Sequence, residues 1–333
     1  MDKLSKQILN KRIENNPIWL MRQAGRYLPE FREIRKNNPN FIKLCLNEEL
    51  STEITLQPIK RFNFDAAIIF SDILMVPYGL GQVVEFKKNF GPILGDLNLE
   101  NILKKNEEDF IKNINPVYKA INKVSTHQSL KDKDTIGFVG APWTILMYMF
   151  NKQSPKKKLP VDLLNKTDEI KKVLEILDKF LKIHIENQVK NGATIIQIFD
   201  SWAGLLEEKY INDYIYNPTY SLVKYTQSLN VPVICFPRNI KSYKEFVNVV
   251  KPDAINIDYE VDPKKIKEQI DIPIQGGLDP KILLTDNQNI KKNALLYLDI
   301  FREHPYIFNL GHGVLPETDP SSVEYLVKVV KDF

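Results

Sequence analysis

Arg22 and Arg26 bracket Gly25 in the stretch Met21-Arg22-Gln23-Ala24-Gly25-Arg26. A guanidinium is always charged, and its planar fork meets a carboxylate or phosphate with two parallel hydrogen bonds. Two forks beside a glycine therefore fit a ligand with more than one acidic group that comes close to the backbone. The competing assignment is the commoner fate of an arginine, pairing with acids on neighbouring helices. Asp72 leaves an apolar run at residues 66–70 and precedes Ile73-Leu74, so its carboxylate needs partners in a largely apolar setting. The plainer assignment is a cap on the next helix. Ser201 follows Asp200 and lies outside any Gly-x-Ser-x-Gly elbow, which favours a binding hydroxyl over a nucleophile. His312 stands between Gly311 and Gly313, where phosphate binding and carboxylate binding fit equally well. Tyr148 sits in a Met- and aromatic-rich stretch that by itself reads as core. The other histidines read differently: His184 shares an apolar face with Phe180, and His127 and His304 lie in polar contexts. Cys45 and Cys235 are far apart without ligand spacing, so neither a disulfide framework nor a metal site is expected.

These residues are placed by eight continuous apolar or β-branched runs, at 18–21, 66–70, 136–139, 194–199, 231–236, 254–257, 272–275 and 306–310. Continuous rather than alternating runs mark parallel strands covered on both faces, and each is followed by enough chain for a helix. The count predicts a single (β/α)8 TIM-type barrel over residues 1–333, with its active-site cleft at the carboxyl ends of the strands. Polar residues fall at those ends in turn: Arg22, Asp72, Asp200 with Ser201, Arg238, Asp258, Asp279 and His312. Helical spacing runs from Thr167, as N-cap, to a stop at Asn191-Gly192, and again after the cap Asp319 with Pro320 at the first helical position. A hairpin is expected from residues 83–86 and a turn at 90–93, followed by a helix over 97–121; residues 154–158 read as a solvated loop.

The chain has 333 residues, 43% of them hydrophobic, ample for such a core. A net charge of +4, dispersed along the sequence, makes no nucleic-acid footprint. The opening residues are polar and the longest apolar run, 138–150, is too short for a bilayer, so a soluble cytoplasmic protein is expected.

Five blocks are spread over nearly the whole chain. They are Met21 to Arg26 preceded by Pro17 and Trp19, Phe70-Ser71-Asp72-Ile73-Leu74, Gly140-Ala141-Pro142-Trp143-Thr144 with Tyr148, Phe199-Asp200-Ser201-Trp202-Ala203-Gly204, and Asn309-Leu310-Gly311-His312-Gly313. Together they resemble the uroporphyrinogen decarboxylase family. The resemblance implies a carboxy-lyase that takes the four acetate side chains of uroporphyrinogen III to methyl groups, giving coproporphyrinogen III in haem biosynthesis. It also implies no cofactor, since a protonated pyrrole is its own electron sink. Asp72, at the centre, accepts hydrogen bonds from pyrrole N–H groups; Arg22 and Arg26 join it as catalytic residues. The implied substrate-binding set is Arg22, Arg26, Phe31, Arg35, Asp72, Tyr148, Ser201 and His312, in a homodimer with facing clefts. Gly277 stands where the family pattern has Asn. Three rivals remain: a zinc- or corrinoid-using methyltransferase of a related barrel group, which requires clustered Cys or His ligands; a tetrapyrrole carrier without catalysis; and a barrel enzyme acting on phosphate sugars, which requires a Lys or Glu base.

Overall fold

Seven of the eight runs become strands of one curled, all-parallel sheet in the computed structural model, which describes residues 3–12, 14–87, 90–155, 159 and 162–333. The strands are β1 (Ala66–Ile68), β4 (Asp134–Gly140), β5 (Ile195–Asp200), β6 (Val233–Pro237), β7 (Ala254–Ile257), β8 (Ile274–Gly276) and β9 (Tyr306–Ile307), adjacent in that order. The intervening pair, β2 (Val84–Lys87) and β3 (Gly91–Leu94), is a separate antiparallel hairpin. The hairpin was expected, but Gly91 to Leu94 is its second strand rather than its turn; residues 88 and 89 lie outside the described residues.

The run 18–21 is a correction: it forms no strand. Ile18 makes one isolated parallel bridge to Phe308, with Phe308 N–H donating to Pro17 O at 2.9 Å. On its other side Asp65 N–H donates to Ile18 O at 3.0 Å. Beyond that the ladder fails because side chains take its donors. Leu20 N–H goes to Gln23 Oε1 (3.1 Å) and Met21 N–H to Asn309 Oδ1 (3.0 Å), and the chain then turns at Arg22, which has φ +60°.

The core has two parts, separated by the alternation within each strand. Ile195, Gln197 and Phe199 of β5 point inward, as do Ile234 and Phe236 of β6, while Ile196, Ile198, Val233 and Cys235 pack outward under the helices. At mid-height the interior is polar: Trp19 Nε1 donates to Gln275 Oε1 (2.9 Å), and Gln275 Nε2 reaches Asn256 Oδ1 (2.8 Å). The amino-terminal helix Leu4–Leu9 closes the bottom of the interior. Its Leu4 and Ile8 join the inner apolar cluster, and Ser5 N–H donates to Asp134 Oδ2 (3.1 Å) at the start of β4. The opposite, carboxyl end is left for the site.

The outer helices follow the sequence closely. Thr167–Lys190 buries Ile170, Val173, Leu174, Leu177, Phe180 and Leu181 on one face, although Thr167 is its first helical residue rather than its cap. Pro320–Lys331 has the expected cap, Asp319 accepting from Ser321 N–H at 2.8 Å. The single helix expected over 97–121 is two, Leu99–Leu103 and Glu107–Ser125, because Asn106 starts a new N-terminus by accepting Asp109 N–H at 2.7 Å. Of the loop 154–158, residues 156–158 lie outside the described residues. No helix among the described residues is long and apolar enough to cross a membrane.

Candidate active site

The turn at Arg22 is built by Gln23, whose backbone N–H donates to Leu20 O (2.9 Å) and whose buried side chain donates to Ala66 O of β1 (3.1 Å). Arg22 is thereby held in the left-handed region, which costs a non-glycine residue about 1–2 kcal/mol and is characteristic of functional sites. Its side chain is open to solvent by surface area yet surrounded by protein on most sides, the situation of a residue in a cleft. Burial lowers its pKa, Asp72 opposes this, and Arg26 and Arg238 lower it further. Among the described residues its guanidinium has no ion pair.

Asp72 lies beyond the end of β1. Its Oδ1 accepts Leu74 N–H (2.9 Å), a side-chain turn ahead of the helix Met75–Gly79 rather than a cap on that helix, while Oδ2 has no hydrogen-bond partner among the described residues. Like Arg22 it is only partly covered by area but deeply surrounded. Burial raises its pKa to about 6, against the lowering effects of the Leu74 N–H bond and Arg22. The result is a carboxylate that is ionised at neutral pH but poorly solvated, facing a cation. Such a pair can accept N–H donors, stabilise a cation formed between them, and bind acidic side chains.

Tyr148, on the helix Pro142–Asn151 after β4, is partly buried and stacks edge-on against Trp202 with ring centroids 6.2 Å apart. Its pKa is raised, first by burial and then by Asp72, so it remains a neutral hydroxyl. Ser201 immediately follows β5 and is partly exposed. Its neighbour Asp200 is a support: 2% exposed, it accepts Thr144 Oγ1 at 2.6 Å, and burial raises its pKa to about 6.

His312 follows β9. Burial, then Arg22 and Arg238, push its pKa down to about 4, so at neutral pH it is an uncharged imidazole within electrostatic reach of two cations. The flanking glycines are needed for packing. A methyl group at Gly313 would lie 2.6 Å from Arg22 Cγ, and one at Gly311 would lie 2.8 Å from the Asp258 carbonyl carbon and press on Tyr259 N.

The remaining expected residues sit further out. Arg26 is exposed, with no ion pair among the described residues. Phe31 is 4% exposed and packs edge-on against Phe70 (5.6 Å), so it lies in the wall rather than on the surface of the cleft. Arg35 donates to Asn38 O (2.5 Å) and lies over the Phe41 ring at 5.7 Å. Asp279 caps its own short helix, accepting Lys281 N–H at 2.9 Å. The other histidines are structural, as expected for His184, whose Nδ1 is 3.0 Å from Tyr118 Oη. Asp258 and Arg238 are residues that sequence reasoning placed at strand ends but gave no role in the site. Each directly follows its strand, the same signal that singled out Ser201.

With this geometry in place, the comparisons decide the kinship. The family model described as uroporphyrinogen decarboxylase matches residues 1–333. The chain belongs to the uroporphyrinogen decarboxylase family. It is 41% identical over 331 residues to uroporphyrinogen decarboxylase of Rickettsia bellii, covering 97% of each chain. It is 40% identical over 336 residues to that of Rickettsia felis, covering 98% of this chain and 96% of the relative. A solved methyltransferase from Methanosarcina mazei shares the fold with a TM-score of 0.80 at 18% identity, over 98% of this chain and 97% of that one. Gly277, where the sequence resemblance leads one to expect Asn, occupies a position that suits glycine. Its φ is +102°, a methyl there would lie 2.6 Å from Tyr297 Cε1, and Tyr297 Oη donates to Gly277 O at 2.7 Å.

Proposed function

We propose that this chain decarboxylates the four acetate side chains of uroporphyrinogen III to give coproporphyrinogen III, as a carboxy-lyase without a cofactor. The observation that carries the reading is Asp72 with Arg22: an ionised, poorly solvated carboxylate with one oxygen free of hydrogen bonds among the described residues, within electrostatic reach of a guanidinium that has no ion pair among them, at the carboxyl end of the sheet. Asp72 accepts the pyrrole N–H groups and stabilises the cation formed when a pyrrole carbon is protonated; that cation receives the electron pair left as carbon dioxide departs. Arg22 and Arg26 bind substrate carboxylates, with neutral Tyr148, Ser201 and His312 as hydrogen-bonding partners and Arg35 at the periphery. Phe31 supports the wall.

The finer architecture belongs to the same reading. Segment 17–20, bonded to Phe308 on one side and Asp65 on the other, takes the eighth position of a closed barrel that forms one domain. The protein works as a cytoplasmic homodimer. The test is anaerobic incubation with uroporphyrinogen III, with products separated by carboxylate number. Accumulation of the four-carboxylate porphyrinogen supports the proposal; an unchanged eight-carboxylate substrate sinks it. Activity that is lost on dialysis against a strong chelator and restored by zinc would favour the methyltransferase-like rival instead.

A further inference from the structure

Three glycine contacts tie the loops of the carboxyl face into one wall. Gly313 packs on Arg22, Gly311 on the Asp258-Tyr259 backbone, and Gly204, in the loop that bears Ser201, on Asn239, where a methyl would lie 2.6 Å from its Cβ. Arg238 lies inside this wall, its backbone fixed by Arg238 N–H donating to Asp200 O (3.0 Å) and Gly204 N–H donating to Arg238 O (3.1 Å). Its side chain is 24% exposed, whereas that of its partner Asp258 is 1% exposed.

The pairing between them is incomplete. Arg238 Nε is 3.7 Å from Asp258 Oδ1, beyond hydrogen-bond distance, and both atoms are buried without a hydrogen-bond partner. Asp258 itself is firmly held, because its Oδ2 accepts both Asn239 N–H and Tyr243 Oη at 2.6 Å. A guanidinium whose charge is balanced but whose donors are unspent, at the rim of a cleft, is ready for an acidic ligand. We infer that Arg238 is a further substrate-binding residue of this site, taking an acidic side chain of the substrate, with Asp258 as the positioning residue that aims it. The inference rests on the proposed substrate, a tetrapyrrole with eight carboxylates, which needs more cations than Arg22 and Arg26 supply. That Arg238 and Arg22 both act on His312 is consistent with a shared cleft.

The test compares wild type, Arg238→Gln, Arg238→Lys, Asp258→Asn and the double variant Arg238→Gln/Asp258→Asn. The double variant leaves no unpaired buried carboxylate and so guards against a fold defect in Arg238→Gln. Two quantities are read: anaerobic steady-state kinetics with uroporphyrinogen III, and the Kd for its oxidised octacarboxylate, uroporphyrin III, from fluorescence titration. Loss of one bidentate contact is expected to raise KM and Kd about tenfold in Arg238→Gln and in the double variant, with kcat within about threefold. Arg238→Lys should recover part of the loss, and Asp258→Asn, which leaves the arginine unaimed, should raise KM by about threefold. KM and Kd within about twofold of wild type in a folded Arg238→Gln or double variant would make the pair purely structural and overturn the inference. A wild type that binds uroporphyrin III without converting uroporphyrinogen III sinks the proposed function, while the Kd comparison still decides Arg238. A wild type that neither binds nor converts overturns both.

Discussion

Asp72 and Arg26 carry different parts of the proposed chemistry, and their substitutions separate accordingly. Asp72→Asn keeps the shape and removes the charge that would face a pyrrole cation. A loss of about 2–4 kcal/mol of transition-state stabilisation in kcat/KM is expected from steady-state kinetics. Stability should move the other way or not at all. The folded-state pKa is raised to about 6, so the proton is held more tightly in the folded than in the unfolded chain; this stabilises the fold below the unfolded pKa and is lost as pH rises through about 6. At pH 7 the wild type therefore carries the cost of an ionised, recessed carboxylate, and Asp72→Asn should melt no lower. By the same pKa, wild-type kcat/KM should fall as pH drops below about 6, whereas the residual activity of Asp72→Asn should not follow that titration. Arg26→Lys keeps the charge but loses the fork, so kcat/KM should fall at least tenfold (roughly 1.4 kcal/mol) with melting temperature unchanged; unaltered kinetics at fixed salt would remove Arg26 from the site. At this scale the residue types were legible as polar groups at strand ends, and Arg22 lies within electrostatic reach of Asp72 and of His312. Their electrostatic states were not, because the lowered pKa of His312 comes first from burial and then from Arg22 and Arg238, both far from it in sequence.

Loops and strands, rather than single side chains, fix where those residues meet. Gly313 and Gly311 flank His312 but face different neighbours, so the same substitution should have different results. In Gly313→Ala the new methyl meets the middle of the Arg22 side chain, which can move. A folded protein with kcat/KM reduced at least tenfold is expected, measurable beside a melting curve within a few degrees of wild type. In Gly311→Ala the methyl meets the Asp258-Tyr259 backbone, which cannot move cheaply, and the melting temperature itself should drop. The strands were legible because burial on both faces writes continuous apolar runs, and seven of the runs are strands. The first run misled because apolarity does not show who takes the backbone donors: Gln23 is close by, but Asn309 is 288 residues away. The break at Asn106 went unread because the apolar spacing continues on both sides of it, while the cap that restarts the helix rests on a single side-chain bond to Asp109 N–H.

Across the molecule, stability and site lie at opposite ends of the sheet interior. Ile8, fully buried beneath the inner cluster, should cost about 2–5 kcal/mol of unfolding free energy when replaced by alanine, with KM unchanged, as denaturant unfolding and kinetics on one preparation would check. Composition and run pattern made the α/β architecture readable, but nothing in the local sequence announced that a six-residue opening helix would plug its floor. The contacts of segment 17–22 with residues 308–314 also bear on how the protein is made. Phe308 N–H reaches Pro17 O, Met21 N–H reaches Asn309, Val314 N–H reaches Met21 O (2.9 Å), and Gly313 supports Arg22. During synthesis from the amino terminus, β1 through β8 can pair, and Gln23 can set the Arg22 turn against Ala66, while the residues that brace that turn from its other side, 308–314, are still untranslated. The ribosome thus delivers the sheet before it delivers the pocket. A nascent chain halted short of residue 309 would have most of its scaffold and no organised place for a tetrapyrrole, which ties binding of that substrate to completion of the polypeptide.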